Sequence, residues 1–542
     1  MSKKVYFCKN RKLTSQRRIK MNLKKTKLIV PIAGAAALAS CAGKTQQEIK
    51  PLNIVYIMTD DHTRQMMSCY DNRHVETPNL DRIANNGVRF TNAYVANSIS
   101  APSRACLLTG KHSHKNGKID NITSFDGSQQ TVQQLLRAAG YQTAMIGKWH
   151  LNSTPTNFDH WEILPGQGSY YNPDFITAEG KTKYEGYVTN IITDLSLNWL
   201  ENDRDKEKPF CLFLHHKVAH RNWMSDTTYL REYEDKTFEI PTNFYDDYSG
   251  RRAAAEQEMS IASEKDMDVV YDLKMLKQDV SSGMSNQFTK GEYARLNPAQ
   301  KDAWDKHYQP IIDEFYSSNL QGKELAERKY QRYMRDYAKT IKSLDENVGR
   351  VLDYLEKNEM MENTIIIYTS DQGFYMGEHG WFDKRFMYEE SFSTPLVMWL
   401  PKQFKKRGDI PQLVQNIDFA PTMLEIAGAP IPSDIQGVSL LPLLKSEKAP
   451  SNWRKSLYYH YYEFPGVHAV KRHYGVKTER YKLIHFYDDI DEWELFDLQT
   501  DPTEMNNLYG KVGYEEITSE LRTELKRLQE QYDDPIREKF PL

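Results

Sequence analysis

Short apolar runs alternate with longer amphipathic stretches through most of this chain. Four runs of five or six mostly apolar residues predict strands buried on both faces: 53–58, 142–146, 210–214 and 364–369. The pattern from about residue 327 to 357 repeats with helical periodicity. Strands that alternate with helices predict an α/β fold whose large, mainly parallel sheet is flanked by helices.

A shift in composition near residues 445–452 marks a smaller C-terminal unit. Beyond it the pattern predicts three strands and a closing helix: 456–462, 481–486, 493–497 and 519–533. These elements fit a small antiparallel sheet with a packed helix. We therefore expect a catalytic domain over residues 50–448 and a C-terminal subdomain over 449–542, with a charged, helix-like insertion at 225–326.

The first forty residues have the pattern of a targeting segment. Lys24, Lys25 and Lys27 precede the apolar run 28–39, which is too short to span a membrane. Leu-Ala-Ser-Cys at 38–41 matches a bacterial lipobox, so we expect a signal peptide over 1–40 and lipidation of Cys41. A plain secretory signal is the alternative. Either interpretation predicts export, to the periplasm or the cell surface.

The balance of charge and the cysteine count exclude two classes of protein. The 542 residues carry 71 Lys and Arg against 74 Asp and Glu, for a net charge of −3. A nucleic-acid-binding protein would show a dominant basic face, so we expect no nucleic-acid partner. Cys69, Cys106 and Cys211 remain in the mature chain, an odd number that implies no extensive disulfide framework.

Polar pairs follow two of the predicted strands directly. Asp60 and Asp61 come after the first strand, and Asp371 and Gln372 come after the last. In parallel sheets, ligands gather at the carboxyl ends of strands. Three carboxylates and an amide form an all-oxygen set that suits Ca²⁺ better than a transition metal. Two unrelated turns with solvated carboxylates are the alternative.

The most specific motif begins at Ser100. Ser-Ala-Pro-Ser-Arg occupies 100–104 and is followed by Leu-Thr-Gly at 108–110. An ordinary helix start, with Ser100 as the cap and Pro102 in the first turn, would account for part of it. As a whole, the motif resembles the signature of the type I sulfatases, an alkaline-phosphatase-like family. Further motifs occur in the family's order: Thr-Asp-Asp-His at 59–62, Gly-Lys-Trp-His at 147–150, Ser-Asp-Gln-Gly at 370–373 and Gly-Glu-His-Gly at 377–380.

The resemblance implies a modified residue and a cation. Ser100 would be oxidised to formylglycine (3-oxoalanine), whose hydrate attacks sulfur. The implied Ca²⁺ ligands are Asp60, Asp61, the modified Ser100, Asp371 and Gln372. Many members have Asn at the position of Gln372, so the geometry there is the least certain. An oxygen-independent, anaerobic sulfatase-maturating enzyme is the implied partner, because the oxygen-dependent route acts on Cys.

The remaining catalytic roles also come from the resemblance. They fall on Arg104, which would bond the hydrate, on Lys148 and Lys384, which would neutralise sulfate oxygens, and on two histidines. His220 would protonate the leaving oxygen, and His150 would assist the nucleophile. A solvated charge cluster is the alternative for Lys384, which lies among Asp383, Arg385 and two glutamates.

Three segments indicate the substrate. Residues 166–173, 381–388 and 463–468 resemble those of bacterial N-acetylglucosamine-6-sulfatases. The resemblance implies removal of 6-O-sulfate from glucosamine residues of heparan-type or mucin glycans. Specificity is set by loops on a shared scaffold, so we expect four side chains there either to contact the sugar or to buttress the small domain. They are Asp383, His468, Arg472 and His473.

Other functions stay open at this point. The enzyme could act on another sulfated sugar. The same fold hosts phosphatases and phosphonate hydrolases, which usually bind two transition metals through several Asp and His ligands. A glycan-binding lipoprotein with a decayed site is a third alternative, against which the intact set of motif residues argues.

Overall fold

The computed structural model describes residues 51–542, except 264 and 278–283. The strands in chain order are β1 (Asn53–Thr59), β2 (Gly87–Phe90), β3 (Ala93–Tyr94), β4 (Gln142–Lys148), β5 (His160–Leu164), β6 (Asp174–Thr177), β7 (Gly180–Lys183), β8 (Phe210–His215), β9 (Thr364–Ser370), β10 (Leu396–Trp399), β11 (Gly408–Ile410), β12 (Val414–Gln415), β13 (Ser456–Tyr461), β14 (His473–Thr478), β15 (Tyr481–Phe486) and β16 (Glu492–Asp497).

Ten of these strands form one twisted layer in the order β11-β2-β10-β9-β1-β8-β4-β5-β6-β7. The central strands β9, β1, β8, β4 and β5 are parallel to one another, whereas β10, β6 and β7 pair antiparallel. The carboxyl ends of β9, β1, β8 and β4 therefore meet along one edge. The four strands predicted from apolar runs are these four, which confirms the predicted α/β class.

The helices are α1 (Pro78–Asn85), α2 (Ser100–Thr109), α3 (Ser113–Asn116), α4 (Val132–Ala138), α5 (Val188–Asn198), α6 (Arg252–Ala255), α7 (Ser285–Gln287), α8 (Pro298–Ser317), α9 (Gly322–Lys357), α10 (Glu389–Phe392), α11 (Phe419–Ile426), α12 (Leu441–Lys445), α13 (Glu515–Gln531) and α14 (Ile536–Lys539). They cover both faces of the large sheet. Ile57 of β1 packs in the core shared with α1, α5 and α9. Its neighbour Tyr56 packs in the core shared with α2, α4 and α11, because successive side chains of a strand point to opposite faces.

A second, antiparallel sheet is formed by β13-β14-β15-β16. One face carries Tyr459 and Phe486 into a cluster with Trp381 and Phe386. The other face packs against α13. The predicted antiparallel sheet with a helix is confirmed, although β14 was not predicted. Its sequence, His-Tyr-Gly-Val-Lys-Thr, mixes polar and apolar residues without a continuous apolar run.

The expectation of a helix-like insertion over 225–326 is only partly right. Long helix is confined to α8 and the first residues of α9, and residues 230–251 contain neither helix nor strand. The cause is that the apolar residues of this stretch, such as Phe238 and Phe244, lack helical spacing. They are nevertheless buried in the core on the α9 side of the sheet. The segment therefore packs over the core as irregular chain.

The targeting segment 1–40 and Cys41 lie outside the described residues. In the described part of the chain, none of the helices combines the length and apolar character needed to cross a membrane.

Candidate active site

The polar pairs after β1 and β9 lie side by side. Thr59 pairs with Ser370 in the sheet, so the residues that follow are neighbours. The Asp61 amide donates to Asp371 Oδ1 at 3.1 Å, and Gln372 Nε2 donates to Asp61 Oδ1 at 2.5 Å. Asp60, Asp61, Asp371 and Gln372 are all buried. The expected oxygen cluster is therefore assembled at the predicted edge of the sheet.

Ser100 is the first residue of α2, and its hydroxyl points to this cluster. Ser100 Oγ donates to Asp60 Oδ1 at 3.2 Å. Ile99 occupies the N-cap position of α2, and no side chain forms a capping hydrogen bond there. The alternative in which Ser100 caps the helix is therefore wrong, although Pro102 does lie in the first turn. The hydroxyl is available for chemistry at the carboxylates instead.

Arg104 lies one helical turn after Ser100 and ties the two strand ends together. Its Nη2 donates to Asp60 Oδ2 at 2.9 Å and to Asp371 Oδ2 at 3.1 Å. Its Nη1 donates to the Lys148 carbonyl at 2.8 Å. Removing one partner of such a buried network is costly, because it leaves the other charges unpaired. Arg104 therefore fixes the spacing of the carboxylates.

Two ammonium groups balance the carboxylates. Lys148 forms an ion pair with Asp60 and donates to Gln167 Oε1 at 2.6 Å. Lys384 Nζ lies 2.8 Å from the Asp61 carboxylate. Lys148 and Lys384 are both buried, so the alternative of a solvated charge cluster for Lys384 is wrong. The structure brings both predicted lysines to the cluster.

Two histidines lie at the same edge. His220 has a ring nitrogen within 4.8 Å of carboxylate oxygens of Asp60 and Asp61. Its Nδ1 lies 2.6 Å from the Arg221 carbonyl, which accepts the ring N–H and leaves Nε2 free. His150 follows β4, and its buried Nδ1 has no hydrogen-bond partner. Burial lowers the pKa of both rings well below the usual value, so both are neutral at pH 7.

The protein only partly neutralises the three carboxylates. Burial raises the pKa of Asp61 to about 8, with the charges of Asp60 and Asp371 adding to it against Lys384. Burial and Asp60 also raise the pKa of Asp371. For Asp60 the effect of burial is outweighed by its neighbours acting together, Lys148 first among them, and they hold the pKa well below its usual range. The cluster therefore favours additional positive charge.

The residues present fit a hard cation. Gln372 Oε1 is buried and has no hydrogen-bond partner, although a buried amide oxygen normally has one. Together with the carboxylates of Asp60, Asp61 and Asp371 it completes the oxygen set that Ca²⁺ prefers. His220 lies close enough to act as a nitrogen ligand. In the described ranges, Asp60, Asp61 and His220 are the one group of three His, Cys, Asp or Glu side chains whose ligand atoms all lie within 4.8 Å of one another.

Asp383 and His468 lie next to the cluster. Asp383 Oδ2 is 3.8 Å from Lys384 Nζ and 3.3 Å from His468 Nε2. The Arg385 guanidinium donates to Asp383 Oδ1 at 3.2 Å and to Glu463 Oε1 at 2.8 Å. Two loops that are distant in sequence therefore meet beside Lys384. This position suits groups that contact a sugar.

Arg472 and His473 lie elsewhere. The Arg472 side chain bonds the carbonyls of Tyr462 and Phe464, so it holds the loop that leads to His468. His473 is fully buried, stacked near Phe386, and both ring nitrogens are hydrogen-bonded, to the Met387 amide and the Lys471 carbonyl. The full burial of His473 leaves no surface for a sugar, so of the two alternatives its contacts favour buttressing. For Arg472, whose side chain is 29% exposed, contact with the sugar stays a prediction.

Sequence reasoning missed two residues at this edge. Lys217 is buried, donates to the Gln167 carbonyl at 3.1 Å and lies 4.6 Å from the Tyr170 ring centre. Arg221 is held by Asp272 through bonds of 2.6 and 2.7 Å, and its Nη1 lies 3.5 Å from His468 Nε2. The position of Lys217, two residues after the end of β8, was the available signal. Nothing in the sequence pattern pointed to the pairing of Arg221 with Asp272.

A hydroxyl at the start of a helix, directed at a carboxylate cluster that two lysines flank, suits the transfer of an anionic group. Fold and site thus define a hydrolase of anionic esters. The chain belongs to the sulfatase family, hydrolases of sulfuric esters: the family model "Sulfatase" matches residues 52–429. A second model, "N-sulphoglucosamine sulphohydrolase, C-terminal", matches residues 377–531.

Curated and solved relatives agree with this assignment. The chain is 52% identical over 513 residues to the N-acetylglucosamine-6-O-sulfatase of Bacteroides thetaiotaomicron, covering 94% of this chain and 91% of that protein. A solved structure in complex with its substrate D-glucosamine-2-N,6-O-disulfate has a TM-score of 0.86 and 52% identity. It covers 90% of this chain and 99% of its own. The phosphonate monoester hydrolase of Agrobacterium radiobacter, 18% identical with a TM-score of 0.63 over 89% of this chain and 96% of its own, shares the fold.

Proposed function

We propose that this chain removes 6-O-sulfate from N-acetylated or N-sulfated glucosamine residues of heparan-type or mucin glycans. The observation that carries the proposal is the 52% identity, over 94% of this chain, to an N-acetylglucosamine-6-O-sulfatase. A solved relative of equal identity is described with a 6-O-sulfated glucosamine as its substrate. The buried Ser100 hydroxyl beside three carboxylates is consistent with that reaction.

The proposed centre contains Ca²⁺ and a formylglycine made from Ser100. The cation would be held by Asp60, Asp61, Asp371, Gln372 and residue 100. When bound, the cation would lower the pKa of a hydroxyl at position 100, and the hydrated aldehyde would supply the nucleophile. Support comes from the oxygen set and from the unpartnered Gln372 Oε1.

The protein's own groups would then orient and neutralise the substrate. Lys148 and Lys384, which lie against Asp60 and Asp61, are placed to balance sulfate charge as it develops. Arg104 holds the carboxylates in register. His220 would protonate the departing sugar oxygen through Nε2, which needs the doubly protonated ring, because in the neutral ring the one N–H is on Nδ1 and donates to the Arg221 carbonyl. The negative charge of the bound sulfate would favour that form. His150, which is buried and comes two residues after Lys148, would assist at the nucleophile.

Sugar recognition is assigned to the pair beside Lys384. Asp383 and His468 would bond sugar hydroxyls, since they come from two loops that meet at the cluster. Arg385 and Glu463 hold Asp383 in place. Replacing Asp383 with Asn should therefore lower kcat/KM for the monosaccharide by about ten- to a hundred-fold. That is the scale of one or two lost charge-assisted hydrogen bonds.

The decisive experiment measures release of sulfate from glucosamine-6-sulfate, N-acetylglucosamine-6-sulfate and galactose-6-sulfate. Because the oxygen-dependent route acts on Cys, Ser100→Cys would be made in a host that converts such cysteines. Mass spectrometry would confirm the aldehyde. We expect turnover of the glucosamine esters only, and a loss of about 10⁴-fold or more in a Ser100→Ala control, the scale of deleting a nucleophile.

Each outcome of this assay has a distinct meaning. Confirmed aldehyde without turnover of any of these esters would sink the 6-O-sulfate assignment while leaving the sulfatase class in place. Equal turnover of the galactose ester would contradict the assignment of the sugar. For the unaltered chain, co-expression with an anaerobic sulfatase-maturating enzyme should be needed for activity, because Ser100 must be oxidised first.

The location of the mature protein forms part of the proposal. The lipobox at 38–41 supports export and attachment of a lipid at Cys41, with the protein in the periplasm or at the cell surface. Cys41→Ala should move the protein from the membrane fraction to the soluble exported fraction, which immunoblotting of fractionated cells would show. Unchanged membrane association in that variant would remove the lipid anchor from the proposal.

A further inference from the structure

A second cavity lies outside the candidate active site. It has a volume of about 240 Å³, and its wall includes Gln65, Glu378, Glu390 and Thr503. None of the candidate catalytic residues lines it. Gln65 comes four residues after Asp61, and Glu378 comes six after Gln372. The two segments that carry the oxygen cluster therefore continue into the wall of this cavity.

The carboxylate of Glu390 is buried there without compensation. Glu390 is only 8% exposed, and its Oε2 has no hydrogen-bond partner. Burial raises its pKa well above the usual range, and the charges of Glu378 and Glu504 raise it further. Without a positive partner such a group holds a proton, whereas buried carboxylates that keep their charge are paired or bound to a metal.

Glu378 adds a second carboxylate to the same wall. Its Oε1 accepts from Gln65 Nε2 at 3.2 Å, and its Oε2 accepts from the Met376 amide at 2.6 Å. Both donors are neutral, so the charge of Glu378 remains. Burial raises the pKa of this group as well. Arg73 acts on Glu378 and Lys482 acts on Glu390 only as more distant charges. Among the described residues, neither carboxyl group forms an ion pair, and both line the cavity.

The basic groups nearby are engaged elsewhere. Arg73, on the cavity wall, donates to Asp71 at 3.0 and 2.7 Å and has a side chain that is 59% exposed. Burial lowers the pKa of His74, which is neutral at pH 7. Lys482 pairs with Glu389 and Glu504 at 2.9 and 2.6 Å. Among the residues that the structure describes, Glu390 has no ion-pair partner.

We propose that this cavity is a cation site, separate from the catalytic cluster, in which Glu390 and Glu378 bind a divalent, oxygen-preferring ion such as Ca²⁺. Thr503 and Gln65 offer further oxygen atoms on the wall. Ca²⁺ takes six to eight oxygen ligands, waters included. A water occupies roughly 30 Å³ in the liquid, so the cavity has room for the ion and several waters.

The test counts bound calcium. Wild type and variants would be dialysed to equilibrium against about 1 mM Ca²⁺, the weak end of affinities for extracellular calcium modules. Metal analysis would then compare protein and buffer chambers. We expect two calcium ions per wild-type chain, one in Glu390→Gln and one in Asp371→Asn. Glu494→Gln, which alters a buried carboxyl outside the cavity, is the matched control and should keep two.

The outcomes separate this site from the catalytic one. A wild-type chain with a single calcium that Glu390→Gln loses and Asp371→Asn keeps would support the cavity site and contradict the catalytic one. Equal calcium content in wild type and Glu390→Gln would overturn the cavity site, whatever that content is. Circular dichroism would confirm folding of Glu390→Gln. Glu378→Gln, which should also lose one calcium, provides a second test if Glu390→Gln is unfolded.

Discussion

Glu494 illustrates how burial can set the protonation state of a side chain in this protein. It lies fully buried on β16 and accepts a hydrogen bond of 2.8 Å from the Tyr388 hydroxyl. Burial raises the pKa of Glu494 from 4.5 to about 8, with the charge of Glu492 adding to it. The folded chain therefore holds a proton on Glu494 at pH 7, whereas the unfolded chain does not.

This proton makes stability depend on pH. Between about pH 4.5 and 8 the folded state binds more protons than the unfolded state, so stability falls as pH rises through that window. Each unit of pKa difference is worth about 1.4 kcal/mol. Glu494→Gln keeps the shape without the titration and should flatten the decline in melting temperature, measured from about pH 5 to 8. Exposed Glu516→Gln should follow wild type, and parallel curves for all three proteins would contradict the assignment.

For individual residues, the sequence predicted the position of those that directly follow a strand. Asp60 and Asp371 come directly after apolar runs, and the sheet register places them together. His473 could not be read in the same way. Its sequence neighbours are polar, and its burial depends on Phe386 and Tyr459, which come from distant segments. Contacts made across the fold leave no local pattern.

The turn after β9 depends on a glycine at one position. Gly373 follows Gln372, and its amide donates to the Ser391 carbonyl at 3.0 Å. A Cβ at this position would lie 2.0 Å from the Glu390 carbonyl oxygen and 2.3 Å from that of Ser393. Both are backbone atoms, which cannot rotate away. The segment that carries the oxygen cluster is thus packed directly against the chain around α10.

Gly373→Ala should therefore lower stability and activity, although Gly373 has no side chain in the active site. We expect a cost in stability of about 1–3 kcal/mol, typical of overpacking. Activity should fall more than ten-fold, because Gln372 must shift with the turn. Gly291→Ala, where no atom lies within 4 Å of the added Cβ, is the control. Thermal unfolding and kcat/KM of both variants test this, and wild-type activity in Gly373→Ala would refute it.

Elements were predictable where their pattern is continuous. The parallel strands β1, β4, β8 and β9 are apolar runs bounded by polar residues, and α9 repeats with helical period. Strand β14 and residues 230–251 escaped prediction for opposite reasons. On one face of the strand Tyr474 and Val476 pack in the cluster with α13, and on the other His473 stacks on Phe386. The irregular stretch buries apolar residues without the spacing that marks a helix or a strand.

For the molecule as a whole, one apolar cluster crosses the predicted boundary at 448/449. Trp381 and Phe386 come from one side of it, and Tyr459 and Phe486 from the other. Lys482 of β15 adds an ion pair to Glu389 of α10 at 2.9 Å. Separating the two parts would expose a large apolar face on each. The small sheet is thus held to the rest by core packing.

A chain that ends at residue 448 should accordingly aggregate or bind a hydrophobic dye. Calorimetry of the intact protein should show one cooperative unfolding transition, because the shared cluster couples both parts. The isolated residues 449–542 are the matched comparison and should lack a cooperative transition of their own. Two resolved transitions in the intact chain, with the smaller one retained by the isolated residues 449–542, would show that the two parts fold independently.

The burial of Ser100 bears on the order of events in the life of the protein. Only 2% of this residue is exposed, at the start of α2 and beneath the ends of β1 and β9. In the proposed function a second enzyme oxidises the Ser100 side chain, and a side chain this deeply buried would be out of its reach. Folding would close that access, so the oxidation would have to precede folding. A molecule that folded first would keep an unmodified serine, and the timing of synthesis, oxidation and export would set the active fraction.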